Sequence, residues 1–369
     1  MRLLVTVTLN PSQLRSHVQP ITDLPEIGRV VLIADAEGAA FDKLETSVPP
    51  GALVRLLGRA GAKLAVVLAT SLRERPDWLV AYNLVPHSLT AIAVGRLTRR
   101  RVLIHLIGGP REWAGGGWTS DNKVLGRLGR PVPILERLLV AAIRRADVVA
   151  VMGSGARADL ISRGVHPERV AVVPASIDDE RLGSLAAACE PEYDLVTASQ
   201  LIPRKRLEDL LAATAILEEN RPGLRVAIAG RGPLDDSLRE QARALGIEDN
   251  VDFLGFVPDV AAVYARSAVF VLPSRSEGLS IALCEAMAAG LPVVASDVGE
   301  VRDVVAPGRN GQLHEVGDVH ALAEHVRTLL DRPELRATMG EAARTDAIAH
   351  CSRERVRAIN RRLLLEPSS

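Results

Sequence analysis

Short apolar runs separated by helical patterns recur along the whole chain. In the first half they are RLLVTVTL, RVVLIAD, KLAVVLAT, WLVAYN, RVLIHLIGG, DVVAVMGS and RVAVVPAS. Runs that are apolar throughout, rather than alternating, are what strands buried on both faces look like. The pattern therefore predicts a parallel sheet covered by helices on either side. It stops at LGSLAAACEPEYD, where Pro191 precedes a new strand, DLVTAS, and this places a linker near Cys189 to Tyr193. In the second half DLVTAS, LRVAIAG, VDFLGF, AVFVLPS and LPVVAS are separated by helical segments such as LEDLLAATAILEEN and DDSLREQARALG. The expectation is an α/β chain of two doubly wound, Rossmann-like domains, 1–189 and 190–348. In such folds ligands bind beyond the carboxyl ends of the strands, here in a cleft between the domains.

Composition narrows the partners. At 369 residues the chain suits two domains, each able to bury its own core. Lys plus Arg equals Asp plus Glu at 45 each, so net charge gives no argument for nucleic acid, and none is expected as a partner. The three cysteines, Cys189, Cys284 and Cys351, have neither metal-ligand nor CxxC spacing, and their odd number argues against a disulfide framework. A reducing cytoplasm fits best. MRLLVTVTL is too short for a signal peptide and runs into polar NPSQLRSH, so it reads as the first strand. No run reaches the ~18 apolar residues that span a bilayer, which leaves a soluble protein or one lying on the inner face of a membrane.

The most informative stretch is SRSEGLSIALCEAMAAGLPVVAS, from Ser274 to Ser296. A buried strand, AVFVLPS, ends before it. IALCEAMAAG is helix-forming and stops at Gly-Leu-Pro, and LPVVAS is a further strand. Glu277 thus falls at the carboxyl end of a parallel strand. The amides of Gly278, Leu279 and Ser280 fall at a helix N-terminus, whose unpaired N–H groups and dipole favour phosphate.

This E-x7-E spacing, with EGLSIALCEAMAAGLPVVAS around it and LVTASQLIPRKRLEDLLAATAIL upstream, resembles the nucleotide-sugar half of retaining glycosyltransferases of family 4, which have the GT-B fold. The likeness is strong from about Val148 to Gly317. It implies a C-terminal helix, within 349–369, crossing back to the first domain. It also implies transfer of a hexose-type sugar from a UDP- or GDP-linked donor to a hydroxyl of a glycan, a lipid-linked carrier or a small molecule. The reaction would be retaining, by same-face attack and without metal or other cofactor. No Asp-x-Asp motif appears in the donor loops, and the paired-carboxylate scheme of glycoside hydrolases does not apply.

Residue by residue, the resemblance makes Lys205 the diphosphate-binding cation, Glu277 a ligand of the transferred sugar, and Glu285 the ribose ligand. Relatives have an Arg about five residues before the lysine, where this chain has Ser199 and Gln200. Either Gln200 supplies a neutral hydrogen bond, or Arg204 or Arg206 replaces the charge. Gly230 and Gly232, flanking Arg231 in VAIAGRGPL, form a strand-end turn that lets backbone approach a ligand, and relatives use it near the phosphates and base. Phe256 and Val257 correspond to the segment holding the nucleobase edge through main-chain groups.

The first domain departs further from the pattern. Asn10-Pro11-Ser12 stands where many relatives have a Gly-Gly loop, and proline removes one N–H donor. His105, in RVLIHLIGG, matches a histidine placed near the transferred sugar and reads as a catalytic strand-end residue beside Gly108 and Gly109. His17 and His87 are loop candidates for acceptor contacts, and Asp121 and Asn122, after the glycines 115–117, suggest an acceptor-side lid. From Lys123 to Arg145, Arg127, Arg130, Arg137 and Arg144 lie among apolar residues, as they do on the solvated face of a core helix or on a surface facing anionic lipid. Two other functions fit the same donor half: a GT-B epimerase acting on the donor alone, and a nucleotide-sugar-binding subunit without turnover.

Overall fold

The computed structural model describes residues 1–35, 41–114, 125–128, 130–185 and 191–366. The chain divides into two compact units. One is Met1–Ser176 together with the segment from Glu354 onward, and the other is Ile177–Arg353.

The first unit holds β1 (Arg2–Thr6), β2 (Arg29–Ile33), β3 (Leu44–Ser47), β4 (Trp78–Tyr82), β5 (Arg101–Leu106), β6 (Val148–Val151) and β7 (Val170–Val172). They form one sheet in the order β3-β2-β1-β4-β5-β6-β7, and its neighbours pair in parallel. Helices Gly51–Glu74, Leu89–Thr98, Pro133–Ile143 and Ser154–Ser162 cover one face through Val67, Ile92, Leu139 and Leu160. Pro11–His17 and the crossing helix Arg353–Leu365 cover the other through Leu14, Val356 and Leu364. Trp78 Nε1 donates to Leu364 O at 3.2 Å, which fixes the crossing helix on this unit.

KLAVVLAT, expected as a strand, lies inside the helix Gly51–Glu74, and the strand in that part of the sheet is β3, LETS. A continuous apolar run does not distinguish the two. The helix buries Ala62, Val67, Thr70 and Ser71 at helical spacing.

In the second unit β8 (Tyr193–Ala198), β9 (Val226–Ala229), β10 (Val251–Gly255), β11 (Ser267–Leu272), β12 (Val293–Ser296) and β13 (Gly311–His314) form a parallel sheet ordered β10-β9-β8-β11-β12-β13. Helices Leu207–Glu218, Asp235–Ala244 and Val319–Asp331 pack on one face through Leu210, Leu238 and Val326. Ile281–Ala288 buries Leu283 and Met287.

The chain leaves the first unit after Ser176, earlier than the expected linker, of which residues 189 and 190 lie outside the described residues. The helix Asp179–Leu185 belongs to the second unit, where Arg181 Nε donates to Asp259 Oδ1 at 3.2 Å. The segment PASIDDE carries no Gly-rich or repetitive composition to mark this crossing.

Candidate functional site

In the second unit the chain runs from β8 outward through β9 and β10, and from β11 the opposite way through β12 and β13. The loops that follow β8 and β11 therefore diverge, and such a switch point is where an open α/β sheet receives a ligand. Lys205 stands on the first loop and Glu277 on the second.

Both are held by local structure. Pro203–Lys205 makes a tight helical turn, stopped by Arg206 in the left-handed region at φ 48°. Arg275 N donates to Arg204 O at 2.8 Å, and Arg204 Nη1 donates to Ser276 O at 3.1 Å, so the two loops are stitched together. Lys205 Nζ donates to Glu277 Oε1 at 2.6 Å, and Arg204 Nη1 lies 3.6 Å from Glu277 Oε2. Glu277 is 8% exposed. Burial by itself raises its carboxyl, but Lys205, through its charge and its hydrogen bond, and Arg204 outweigh this and hold it below the usual carboxylate range.

Arg206 is directed elsewhere, with Nε and Nη2 donating to Asp209 at 2.6 and 2.7 Å. Of the two arginines expected to replace the missing charge, the structure brings Arg204 to the cluster and commits Arg206 to its own helix. Gln200 is exposed, and its carbonyl accepts from Ile202 N at 3.0 Å.

After Glu277 the chain turns into the helix Ile281–Ala288. Ser280 is its N-cap and accepts from Leu283 N at 3.4 Å. Glu285, half-buried, sits in the second turn. Burial pushes the Tyr264 hydroxyl well up, and the charge of Glu285 adds to this, so the two side chains share one electrostatic environment.

The glycines have a more specific reason than ligand approach alone. A Cβ on Gly230, at φ 150°, would lie 1.7 Å from Ser199 O, and one on Gly232 would lie 2.2 Å from Leu201 O. A Cβ on Gly299, at φ 55°, would lie 2.0 Å from Glu277 O. Two loops, the one after β9 and the one after β12, thus close directly onto the backbone carrying Ser199, Leu201 and Glu277. Gly230 N donates to Gly255 O at 2.7 Å, which sets the β10 loop beside this turn, with Arg231 exposed and Phe256 65% exposed. Val257 is half-buried.

In the first unit His105 lies within β5 rather than at a solvent-facing strand end. It is 3% exposed, its Nε2 is 3.0 Å from Val173 O, and its ring packs against His17 and Tyr82 at 5.3 Å each. Burial lowers it to about 4. His105 is thus enclosed in the core of the first unit, with its Nε2 partnered by backbone. His17 is likewise enclosed, and burial lowers its pKa well below the usual value. The Asn10-Pro11 loop forms a helix start in which Gln13 N donates to Asn10 Oδ1 at 2.9 Å and Asn10 N donates to Gln13 Oε1 at 3.2 Å. Glycines 115–117, Asp121, Asn122 and Lys123 lie outside the described residues, as does the side chain of Arg127.

A polar network around His87 was not legible in the sequence. Thr8 gives its hydroxyl proton to Asp35 and accepts from Lys63 Nζ at 2.9 Å. The 2.9 Å contact from Thr8 Oγ1 to His87 Nε2 is then made by the Nε2 proton, and Nδ1 accepts from Thr6 Oγ1 at 3.0 Å. Lys63, 4% exposed, also pairs with Asp35 at 2.8 Å. Burial and then the charge of Lys63 lower His87 to about 3, so it is neutral. The network joins the ends of β1, β2 and β4 at that sheet's own switch point.

Residues 187–346 match the family model of glycosyl transferases group 1. The chain is 33% identical over 185 residues to a putative glycosyltransferase EpsD of Bacillus subtilis, across 50% of this chain and 48% of that one, so it spans about half of that relative's length. It is 28% identical to the N-acetyl-alpha-D-glucosaminyl L-malate synthase of Bacillus anthracis, across 77% of this chain and 73% of that one. Among solved structures, Anabaena Alr3699/HepE in complex with UDP-glucose superposes with a TM-score of 0.77 at 21% identity, covering 99% of this chain and 100% of that one. That likeness bears on the fold, which is GT-B with two Rossmann-like units.

Proposed function

From the premise that this chain carries a glycosyl transferases group 1 domain over residues 187–346, we propose that it is a retaining glycosyltransferase moving a hexose-type sugar from a nucleotide diphosphate sugar to a hydroxyl. The observation that carries the reading is the pair Lys205 and Glu277 at the switch point, 2.6 Å apart and joined by Arg204.

The chemistry follows from charge. As the sugar departs, negative charge gathers on the diphosphate, and fixed cations aimed at it lower the barrier most. Lys205 and Arg204 supply two, and the amides of Gly278, Leu279 and Ser280 add neutral donors at a helix start. Two fixed cations make metal-independent turnover part of the proposal. Glu277, kept ionised, accepts hydrogen bonds from sugar hydroxyls, while Glu285 accepts from the ribose. Gln200 adds a neutral donor, Gly230, Arg231 and Gly232 shape the phosphate side, and the main chain of Phe256 and Val257 reads the base edge. The acceptor oxygen attacks from the face the leaving phosphate vacates, and that phosphate takes the acceptor proton.

The test is release of nucleoside diphosphate from UDP- and GDP-sugars, alongside thermal stabilisation by UDP and GDP, with metal chelated. Stabilisation by one nucleotide, with slow hydrolysis of its sugar conjugate, is expected. Conversion of the donor to an epimer without acceptor, or no response to any nucleotide, would overturn the reading.

A further inference from the structure

The first unit has a helical face that is both basic and apolar. Between Thr46 and Arg111 the sequence has ten cations and two acids, Glu74 and Asp77, in a chain whose overall charge is zero; of the ten, Lys63 is buried against Asp35 and Arg101 stands on β5 over Trp78. Both acids are engaged: Glu74 pairs with Arg29 at 2.8 Å and Arg73 at 2.9 Å, and Asp77 accepts from Arg2 N at 2.7 Å. Arg55, Arg59, Arg96 and Arg99 are exposed.

The same face exposes large apolar side chains. Leu56 is 79% exposed, Leu72 60% and Leu97 70%, with Leu57 and Leu64 also exposed. They sit on Gly51–Glu74 and Leu89–Thr98, neighbours in one layer, tied where Ser71 Oγ lies 3.1 Å from Thr98 Oγ1. Gly58, at φ 69° and ψ 170°, breaks the first helix. Its opening turns, GALVRLL, therefore form a separate piece whose leucines lie outside the core, flanked by arginines. Farther along the layer, Pro133–Ile143 exposes Ile134 and Leu138, while its Glu136 is paired with Arg163.

Leucines in water cost free energy unless something covers them. Two copies meeting symmetrically through this face would set arginines against arginines. Nucleic acid would use the arginines but not the leucines. A surface that takes both at once is an anionic bilayer, where leucines enter the acyl boundary and arginines meet lipid phosphates. We propose that this face, led by Leu56 and Leu57 with Arg55 and Arg59, docks the protein on anionic phospholipid. It lies beside the stretch that sequence patterning singled out, and it stands whether or not the transferase reading does.

The test is co-sedimentation of the full chain with vesicles of phosphatidylcholine alone and of phosphatidylcholine mixed equally with phosphatidylglycerol. The expected result is partition onto the mixed vesicles only, weakened by salt. Leu56→Asp with Leu57→Asp should lower that partition roughly ten-fold or more, and Arg55→Glu with Arg59→Glu should lower it as well. Both variants change exposed residues, so an unchanged melting temperature checks the fold. The proposal is overturned if the wild type ignores the mixed vesicles or if the leucine variant binds them equally. A wild-type dimer that the leucine variant dissociates, or binding to a DNA duplex indifferent to the leucines, would overturn it too.

Discussion

Lys205 Nζ and Glu277 Oε1 form a 2.6 Å ion pair between loops 72 residues apart in sequence, with the lysine side chain 12% exposed and the glutamate 6%. Removing Lys205 leaves the buried Glu277 with only the longer contact to Arg204, and removing Glu277 leaves two cations facing each other. Lys205→Ala should therefore destabilise the second unit by about 3 kcal/mol and lower turnover by ~10²-fold. Glu277→Gln with Lys205→Met should recover part of that stability, which a double-mutant cycle by urea unfolding would read. Additive losses would mean that the two side chains do not interact.

The same pair gives an acid limit. A carboxyl held below its unfolded value stabilises the protein above that value and loses the contribution as pH falls through its folded one. Glu277→Gln should flatten stability against pH below ~4.3.

A second pH dependence comes from the first unit and has a higher onset. His87 and His105 are lowered to about 3 and about 4 by burial, whereas in the unfolded chain they take a proton near 6.5. The unfolded state thus binds more protons between those values. Stability should fall as pH drops below ~6.5, by up to about 1.4 kcal/mol per pH unit for each histidine. Midpoints for the wild type and His87→Gln, compared at about pH 7 and about pH 5, should show the variant with the shallower loss.

Glu285→Ala should weaken UDP or GDP binding by roughly ten-fold or more while changing turnover little, because ribose contacts are alike in ground and transition states. Calorimetry with the nucleotide, set beside turnover at saturating donor, separates the two. A large fall in turnover at saturation would contradict the ribose role.

Gly230→Ala would drive a methyl into Ser199 O, and Gly299→Ala would drive one into Glu277 O. Both are backbone obstacles that cannot rotate away, so a loss of about 2 kcal/mol or more is expected from each, with nucleotide affinity falling alongside. Thermal melts with and without UDP would report both effects.

The second unit was the more legible because its chemistry is local. Strand, turn and helix follow one another around Glu277, and Lys205 lies in the loop between β8 and the next helix, so the local pattern places both and the family resemblance singles them out. Arg204 and Arg206 are indistinguishable in sequence. What separates them is an Asp three residues on, which takes Arg206, and a carbonyl 72 residues away, which takes Arg204. His105 was legible as a residue near the end of β5, but not its enclosure by His17, Tyr82 and Val173, which come from separate segments. The network of Thr6, Thr8, Asp35, Lys63 and His87 draws on four separate segments with no fixed spacing, and only the fold assembles it.

The helix Arg353–Leu365 supplies Val356 and Leu364 to a core otherwise built from the first 176 residues. During synthesis the first unit therefore emerges with one sheet face incomplete and Trp78 Nε1 without its carbonyl. The second unit, contiguous in sequence, can close first. A chaperone meeting the nascent chain would then find the N-terminal sheet still lacking Val356 and Leu364 after all of the sheet's own residues had appeared.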